Sequence, residues 1–324
     1  MNTSTKGATT GKPHDAYEAL LQRCDKLEPV VTAVAYPCER TALTGAVEAA
    51  QRKLIEPILV GPRDKIRQLA READLKIDSI RIEDVAEPSA AAARAVEIIR
   101  KAEAEVLMKG SLHTDELMGA VVSSATGLRT GRRISHAFVM AVPTYHKPLI
   151  ITDAAINIAP ALEEKRDICQ NAIDLAHSLG KARPKVAILA AVETVTTKMP
   201  ATIDAAALCK MADRGQITGA LLDGPLAMDN AISAEAVKTK GIESPVAGDA
   251  DILLAPDLEA GNILAKLLTF LANADAAGLV LGARVPIILT SRADSVRVRM
   301  ASCAVAALVA HARRKGAAEG VHDE

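Results

Sequence analysis

The chain has 324 residues, 49% hydrophobic and 24% charged, a balance that suits two ordinary domains or one large unit rather than a disordered or fibrous protein. With 39 basic and 40 acidic side chains and a formal charge of -1, it lacks the global basic field that holds a nucleic acid or an anionic membrane. Aromatics are 2% with no Trp, which argues against single-strand stacking platforms and leaves a core of Ala, Val, Leu and Ile.

Residues 1–13 are polar, contain no apolar signal-peptide region and read as a disordered lead-in. VVTAVAYP (30–37) reads as a strand, and ERTALTGAVEAAQRKL (39–54) as a helix with apolar residues at three-to-four spacing. PILVG (57–61) is a strand, PRDKIRQLAREAD (62–74) a helix opening on Pro, and AAAARAVEIIRKAEA (90–104) a helix by propensity. EVLMKG (105–110), a helix over HTDELMGAVV (113–122), and the strand HAFVMAV (136–142) follow. PTYHKP (143–148), a polar stretch between prolines, is the best linker. Beyond it, PLIITDAAI, KVAILAAVE, GALLDG, DILLAPD, GLVLG and VPIILTS read as strands, with helices between them at 160–180 and 294–314. This alternation predicts an α/β fold with mostly parallel sheets and crossover helices. No run of about 18 apolar residues predicts a membrane span. Cys24, Cys38, Cys169, Cys209 and Cys303 are scattered and odd in number, without CxxC or Cys/His spacing, so the simple reading is reduced thiols in the cytoplasm and no zinc site.

Ligands of open α/β sheets bind where strands end and helices begin. ILTSRADS (288–295) brings Thr290, Ser291 and Arg292 to such a junction, with Asp294 in the cap region. A helix N-terminus favours an anion there, and Arg292 adds a planar two-pronged grip. The plain alternative is that Ser291 or Asp294 caps the helix and Arg292 is a surface charge. Asp257, Gly261 and Asn262 mark a second junction, which also reads as an ordinary strand-to-helix turn with an acidic first turn. Arg129, Arg132 and Arg133 in GLRTGRR form either a phosphate-binding loop or a solvated charge run. Lys109 and Gly110 with His113 make another candidate anion pocket. GxGxxG, Walker, HExxH, GxSxG and EF-hand signatures are absent, and no metal-ligand spacing occurs.

LLDGPLAMDNAIS (221–233), SPVAGDADILLAPDLEAGN (244–262) and AAGLVLGARVPIILTSRADS (276–295) resemble the phosphate acetyltransferase and phosphate butyryltransferase family. LMKGSLHTDEL and GLRTGRRISHA are similar to its earlier blocks, especially in the butyryl branch, and the likeness runs from about Val106 to Ala310. The resemblance implies two α/β domains like those of isocitrate and isopropylmalate dehydrogenases. The first would span 14–145 plus 283–324 and the second, inserted, 146–282, with the active site in the cleft between them. It further implies a homodimer with no metal or tightly bound cofactor. The substrates would be acyl-CoA or CoA with phosphate or acyl phosphate, the acyl group ranging from acetyl to butyryl.

Carried over by position, Ser291 and Arg292 match the family's catalytic pair, while Val298 replaces the Asp that acetyltransferases place seven residues after the Ser. Asp294 is the substitute base. Ala154 in DAAIN stands where acetyltransferases carry a Cys. Lys109, Gly110, His113, Arg129, Arg132, Arg133, Asp257, Gly261 and Asn262 are the candidate CoA and phosphate contacts. Two alternatives compete: an NAD-dependent decarboxylating dehydrogenase of the same broad fold, and a non-catalytic module that binds acyl-CoA or acyl phosphate. The first needs metal-binding aspartates and a Tyr/Lys pair, and Tyr17, Tyr36 and Tyr145 offer no convincing setting.

Overall fold

The structure, a computed structural model, describes residues 15–291 and 294–318; the predicted lead-in at 1–13 and Arg292 lie outside the described residues. The first half runs α1 (Asp15–Cys24), β1 (Val30–Ala35), α2 (Arg40–Gln51), β2 (Ile55–Gly61), α3 (Arg63–Glu72), β3 (Arg81–Asp84), α4 (Pro88–Arg100), β4 (Val106–Lys109) and α5 (Thr114–Val122). It continues through β5 (Ser135–Ala141), β6 (Leu149–Thr152), α6 (Leu162–Ser178), β7 (Lys185–Leu189), α7 (Pro200–Asp213), β8 (Leu221–Leu226), α8 (Met228–Ile232) and α9 (Ala234–Lys240). Then come β9 (Ile252–Leu254), α10 (Leu258–Phe270), β10 (Asp275–Leu281), β11 (Ile287–Ile288) and α11 (Val296–Ala318).

All eleven described strands join in one sheet, in the order β3-β2-β1-β4-β11-β10-β5-β6-β9-β7-β8. The flanking strands pair in parallel, as βαβ crossovers require. At the centre, however, β11/β10, β10/β5 and β5/β6 are antiparallel. The sequence pattern predicts parallel neighbours there. Apolar runs such as GLVLG carry no sign of direction when both faces of the sheet are covered.

PTYHKP also differs from expectation. It joins β5 to β6, adjacent antiparallel strands, and it is pinned to the molecule. Tyr145 Oη donates to the Ala250 carbonyl at 2.8 Å, and Lys147 Nζ pairs with Asp249 at 2.8 Å and Asp251 at 2.9 Å. It is a tethered strand connection rather than a free linker.

Scarce aromatics shape the packing. Helix α11 is buried from Met300 to Ala310, a run of mostly Ala, Cys, Val and Ser that lies against α1, α2 and β10. A helix apolar on every side is a core helix. It brings the chain's end back onto the first half, where β11 pairs with β4. No helix among the described residues is long and apolar enough to cross a membrane.

Candidate active site

β11 and β4 run in parallel, with Ile288 opposite Met108. Thr290 and Gly110 therefore leave the sheet at the same end. Past Thr290 the chain makes a tight turn. The Ser291 N–H donates to Asp294 Oδ2 at 2.6 Å, and the Asp294 N–H returns to the Ser291 carbonyl at 3.1 Å. A third bond comes from α11, where Arg299 Nη2 donates to the Ser291 carbonyl at 3.0 Å while Nη1 donates to Thr290 Oγ1 at 2.7 Å. The cap of α11 is neither Ser291 nor Asp294: the Val298 N–H bonds Ser295 Oγ at 3.4 Å. Asp294 is thus a turn-closing group whose Oδ1 has no protein donor among the described residues.

On the neighbouring strand Lys109 is buried and Gly110 presses on β1. A Cβ on Gly110 would stand 2.4 Å from the Ala35 carbonyl oxygen, so only glycine lets the strand ends meet. Ser111 Oγ fastens the contact, donating to the Tyr36 carbonyl at 2.8 Å and accepting from the Cys38 N–H at 3.0 Å. His113 stands exposed at the head of α5, its N–H bonded to Glu116 Oε2 at 2.8 Å, and no bond ties it to these groups.

The loop after β6 is built around Asp153, which is buried. Its carboxylate accepts N–H groups of Ala155 at 2.9 Å, Ile156 at 3.0 Å, Asn157 at 3.3 Å and His136 at 3.2 Å, besides Asn157 Nδ2 at 2.5 Å. Helix α10 leans on this loop. Asp257 caps it, accepting from the Ala260 N–H at 2.8 Å; Asn262 Nδ2 donates to the Ala154 carbonyl at 2.9 Å; a Cβ on Gly261 would fall 2.2 Å from the Asp153 carbonyl oxygen. The predicted trio Asp257, Gly261 and Asn262 therefore holds the DAAIN loop.

His136 links the loop to the Ser291 strand. Its ring is fully buried, edge-on to Phe138 at 4.5 Å between centroids, and neither nitrogen has a hydrogen-bond partner among the described residues. Burial pushes its pKa down, against the pull of Asp153 and the Leu289 carbonyl. Gly278 makes the space: a Cβ there would meet the Leu289 carbonyl oxygen at 2.9 Å and His136 Nε2 at 3.1 Å. Contacts thus run from Leu289, just before Ser291, through His136 to the Asp153 loop.

The arginine loop forms one wall of a cavity of about 520 Å³, which Ile156, Met118 and Val122 also line. Arg132 pairs with Asp174. Arg133 reaches Asn157 Oδ1 at 2.7 Å and Glu164 at 2.9 Å. Both are tied to their surroundings, whereas exposed Arg129 makes no ion pair among the described residues. Asp153 and Asn157 stand in the DAAIN block without a role assigned from the sequence, and His136 and Arg299 are not among the residues it singles out. A histidine within an apolar strand and a D-x-x-x-N at a strand end were the available signals.

The thiols are not nucleophiles in waiting. Burial pushes Cys24 and Cys38 up to about 11, and Cys169, Cys209 and Cys303 up to about 12. No cluster of three or more His, Cys, Asp or Glu among the described residues could hold a metal ion.

Hydrogen bonds from separate elements fix the strand ends at Ser291, Gly110 and Asp153, and a cavity opens beside the Asp153 loop at Ile156. The family described as phosphate acetyl/butaryl transferase matches residues 87–307, and the chain belongs to it. A phosphate acetyltransferase of Rhizobium meliloti is 65% identical over 92% of this chain and 94% of its own length. A phosphate butyryltransferase of Clostridium beijerinckii is 41% identical over 92% of this chain and 99% of its own. The crystal structure of a branched-chain phosphotransacylase from Enterococcus faecalis superposes with a TM-score of 0.77 at 30% identity, covering 87% of this chain and 99% of that one. The protein is an acyltransferase, and these relatives favour neither the dehydrogenase nor the non-catalytic alternative.

Proposed function

We propose that the enzyme carries a short acyl group between the coenzyme A thiol and inorganic phosphate: acyl-CoA plus phosphate gives acyl phosphate plus CoA. The observation that carries this reading is the Ser291 turn, whose backbone is fixed by Asp294 and Arg299 beside the buried Lys109 strand end. In the reverse direction the thiolate attacks the acyl-phosphate carbonyl, and charge builds on the carbonyl oxygen and the departing phosphate. Ser291, Arg292 and the N–H groups opening α11 stabilise that charge, while Asp294 Oδ1 takes the thiol proton. Lys109, Gly110, His113 and Arg129 hold phosphate groups; Arg132 and Arg133 shape the loop. Coenzyme A is a substrate, and no bound cofactor enters.

The cleft reading draws support from the cavity, walled by α5 of residues 14–145 and by the start of α6 in residues 146–282. The return of β11 and α11 to the first half supports the inserted, isocitrate-dehydrogenase-like arrangement. The homodimer reading draws on α10, where Ile263, Leu267, Phe270 and the following Leu271 are exposed in one stripe. Five free cysteines suit the cytoplasm.

Acetyl is the proposed preferred group. The 65% identical relative is an acetyl enzyme, although GRRISH and SRADS resemble the butyryl branch. Thiol release from acetyl-, propionyl- and butyryl-CoA with phosphate as acceptor is the test. Phosphate-dependent release fastest with acetyl-CoA is expected. Absence of such release from all three would sink the reaction, and a butyryl optimum would sink the chain-length assignment alone.

A further inference from the structure

Two arginines in the first turns of α11 behave oppositely. Arg297 forks onto Asp275 at 2.7 and 2.9 Å and stacks over the Tyr17 ring at 3.6 Å, an ordinary neutralised arginine. Arg299 is 1% exposed, has no carboxylate within ion-pair distance among the described residues, and leaves Nε without a partner. Its donors go instead to Thr290 Oγ1 and the Ser291 carbonyl. The fold makes room for it: a Cβ on Gly45 of α2 would stand 2.8 Å from Arg299 Cδ.

Three physical terms oppose a cation at this place. It is desolvated, it has no ion-pair partner among the described residues, and it lies near the positive end of a helix. An apolar side chain would fill the same space at lower cost, as replacements of buried ion groups show. Arginine nevertheless keeps its proton in proteins. Burial pushes its pKa down; Asp294 on the turn, Cys303 further along α11 and Glu39 before α2 oppose this without forming an ion pair with it.

We infer that Arg299 is a positioning residue for the Ser291 turn, and that its charge, held without an ion pair among the described residues, biases the junction toward the thiolate and phosphoryl oxygens of the reacting groups. The inference rests on the reading above that the reaction occurs at Ser291. The guanidinium fixes the Ser291 carbonyl and Thr290 together, and so sets the direction in which the turn presents Ser291. Its positive charge lowers the pKa of a thiol bound beside it, which eases transfer of the proton to Asp294.

The test compares Arg299→Met, Arg299→Lys, Thr290→Val and Ser291→Ala, each purified and checked for folding by thermal melting. Arg299→Met should lose on the order of 100-fold in kcat, the scale of a misplaced reacting group, with little change in KM for CoA. The rising limb of its pH–kcat profile should move up by about one unit or more, because a neighbouring cation no longer favours the thiolate. Arg299→Lys keeps the charge and loses the fork, so it should be slow with the wild-type pH limb. A folded Arg299→Met with wild-type kcat, or one slowed equally at every pH, would overturn the inference. If Arg299→Met does not fold, Thr290→Val decides: a loss of about tenfold in kcat supports the role, and a wild-type kcat overturns it. Ser291→Ala separates the two ideas. Its retaining full activity would sink the Ser291 reading itself, whereas an inactive Ser291→Ala beside an active Arg299→Met would sink only the inference.

Discussion

Asp294 accepts the Ser291 N–H through one carboxylate oxygen, and an asparagine could do the same through its carbonyl. The cap of α11 belongs to Ser295, so Asp294→Asn should cost a few tenths of a kcal/mol at most, about the scale of an exchange between good caps. What the substitution removes is the proposed proton acceptor. A free thiol is only a few per cent ionised at neutral pH. Asp294→Asn should therefore slow attack on acyl phosphate strongly at pH 7, and the deficit should shrink as pH rises and thiolate forms unaided. A ratio of mutant to wild-type rate that stays flat from neutral to alkaline pH would remove Asp294 from the role. The sequence places Asp294 near a helix start and offers Ser291 or Asp294 as cap, whereas the cap bond falls on Ser295. Ser and Asp are both good caps, and the position is decided by where helical geometry begins, which is Val296. Asp153, His136 and Arg299 were less legible still. The partners of His136 and Arg299 lie outside their own local sequence, whereas Asp153 is held mainly by Ala155, Ile156 and Asn157, within four residues of it, with His136 as the one distant donor.

Glycine decides how the elements meet around the site. Helix α10 can rest on the DAAIN loop only because Gly261 has no side chain, and Asp153 holds that loop with five accepted bonds. The strand-to-helix position of Gly261 and Asn262 is readable from PDLEAGN, but its purpose is not. The sequence leaves a ligand contact and an ordinary turn both open, and in the structure a backbone carbonyl of Asp153 presses on Gly261. Gly261→Ala must push the loop outward. Overpacking of this kind costs about 1–3 kcal/mol, and a shift of about 1 Å at the cavity wall costs on the order of 100-fold in kcat/KM. Gly119 in α5, where an added Cβ meets nothing within 4 Å, is the control. Gly119→Ala should be neutral or more stable by about 0.5–1 kcal/mol, from helix propensity alone. Equal melting temperatures and equal rates for Gly261→Ala and wild type would show that the loop does not depend on this contact.

At the scale of the whole molecule, the α/β class and most elements were legible, because apolar runs and three-to-four spacing report burial directly. Strand direction was not. The three central antiparallel pairs depend on how distant segments align, and a strand covered on both faces reads the same either way. Helix α10 carries a second message. Its Gly261 and Ala265 are buried toward the sheet, while Ile263, Leu267 and Phe270 repeat at helical spacing on the outer face, with Phe270 78% and Leu271 83% exposed. A continuous apolar stripe on a surface helix marks an interaction surface, and a two-fold axis would let the same stripe cover itself in a partner copy. Light scattering on the purified chain should therefore give twice its 33.9 kDa mass. Replacing both Leu267 and Phe270 with Asp puts four carboxylates into that seam, two from each copy, and should yield the single-chain mass. The substituted side chains point away from the Asp153 loop, so the variant should still fold, as far-UV circular dichroism would verify. A wild-type protein that runs as a single chain, or a folded double variant that stays paired, would show that this stripe is not where two copies meet.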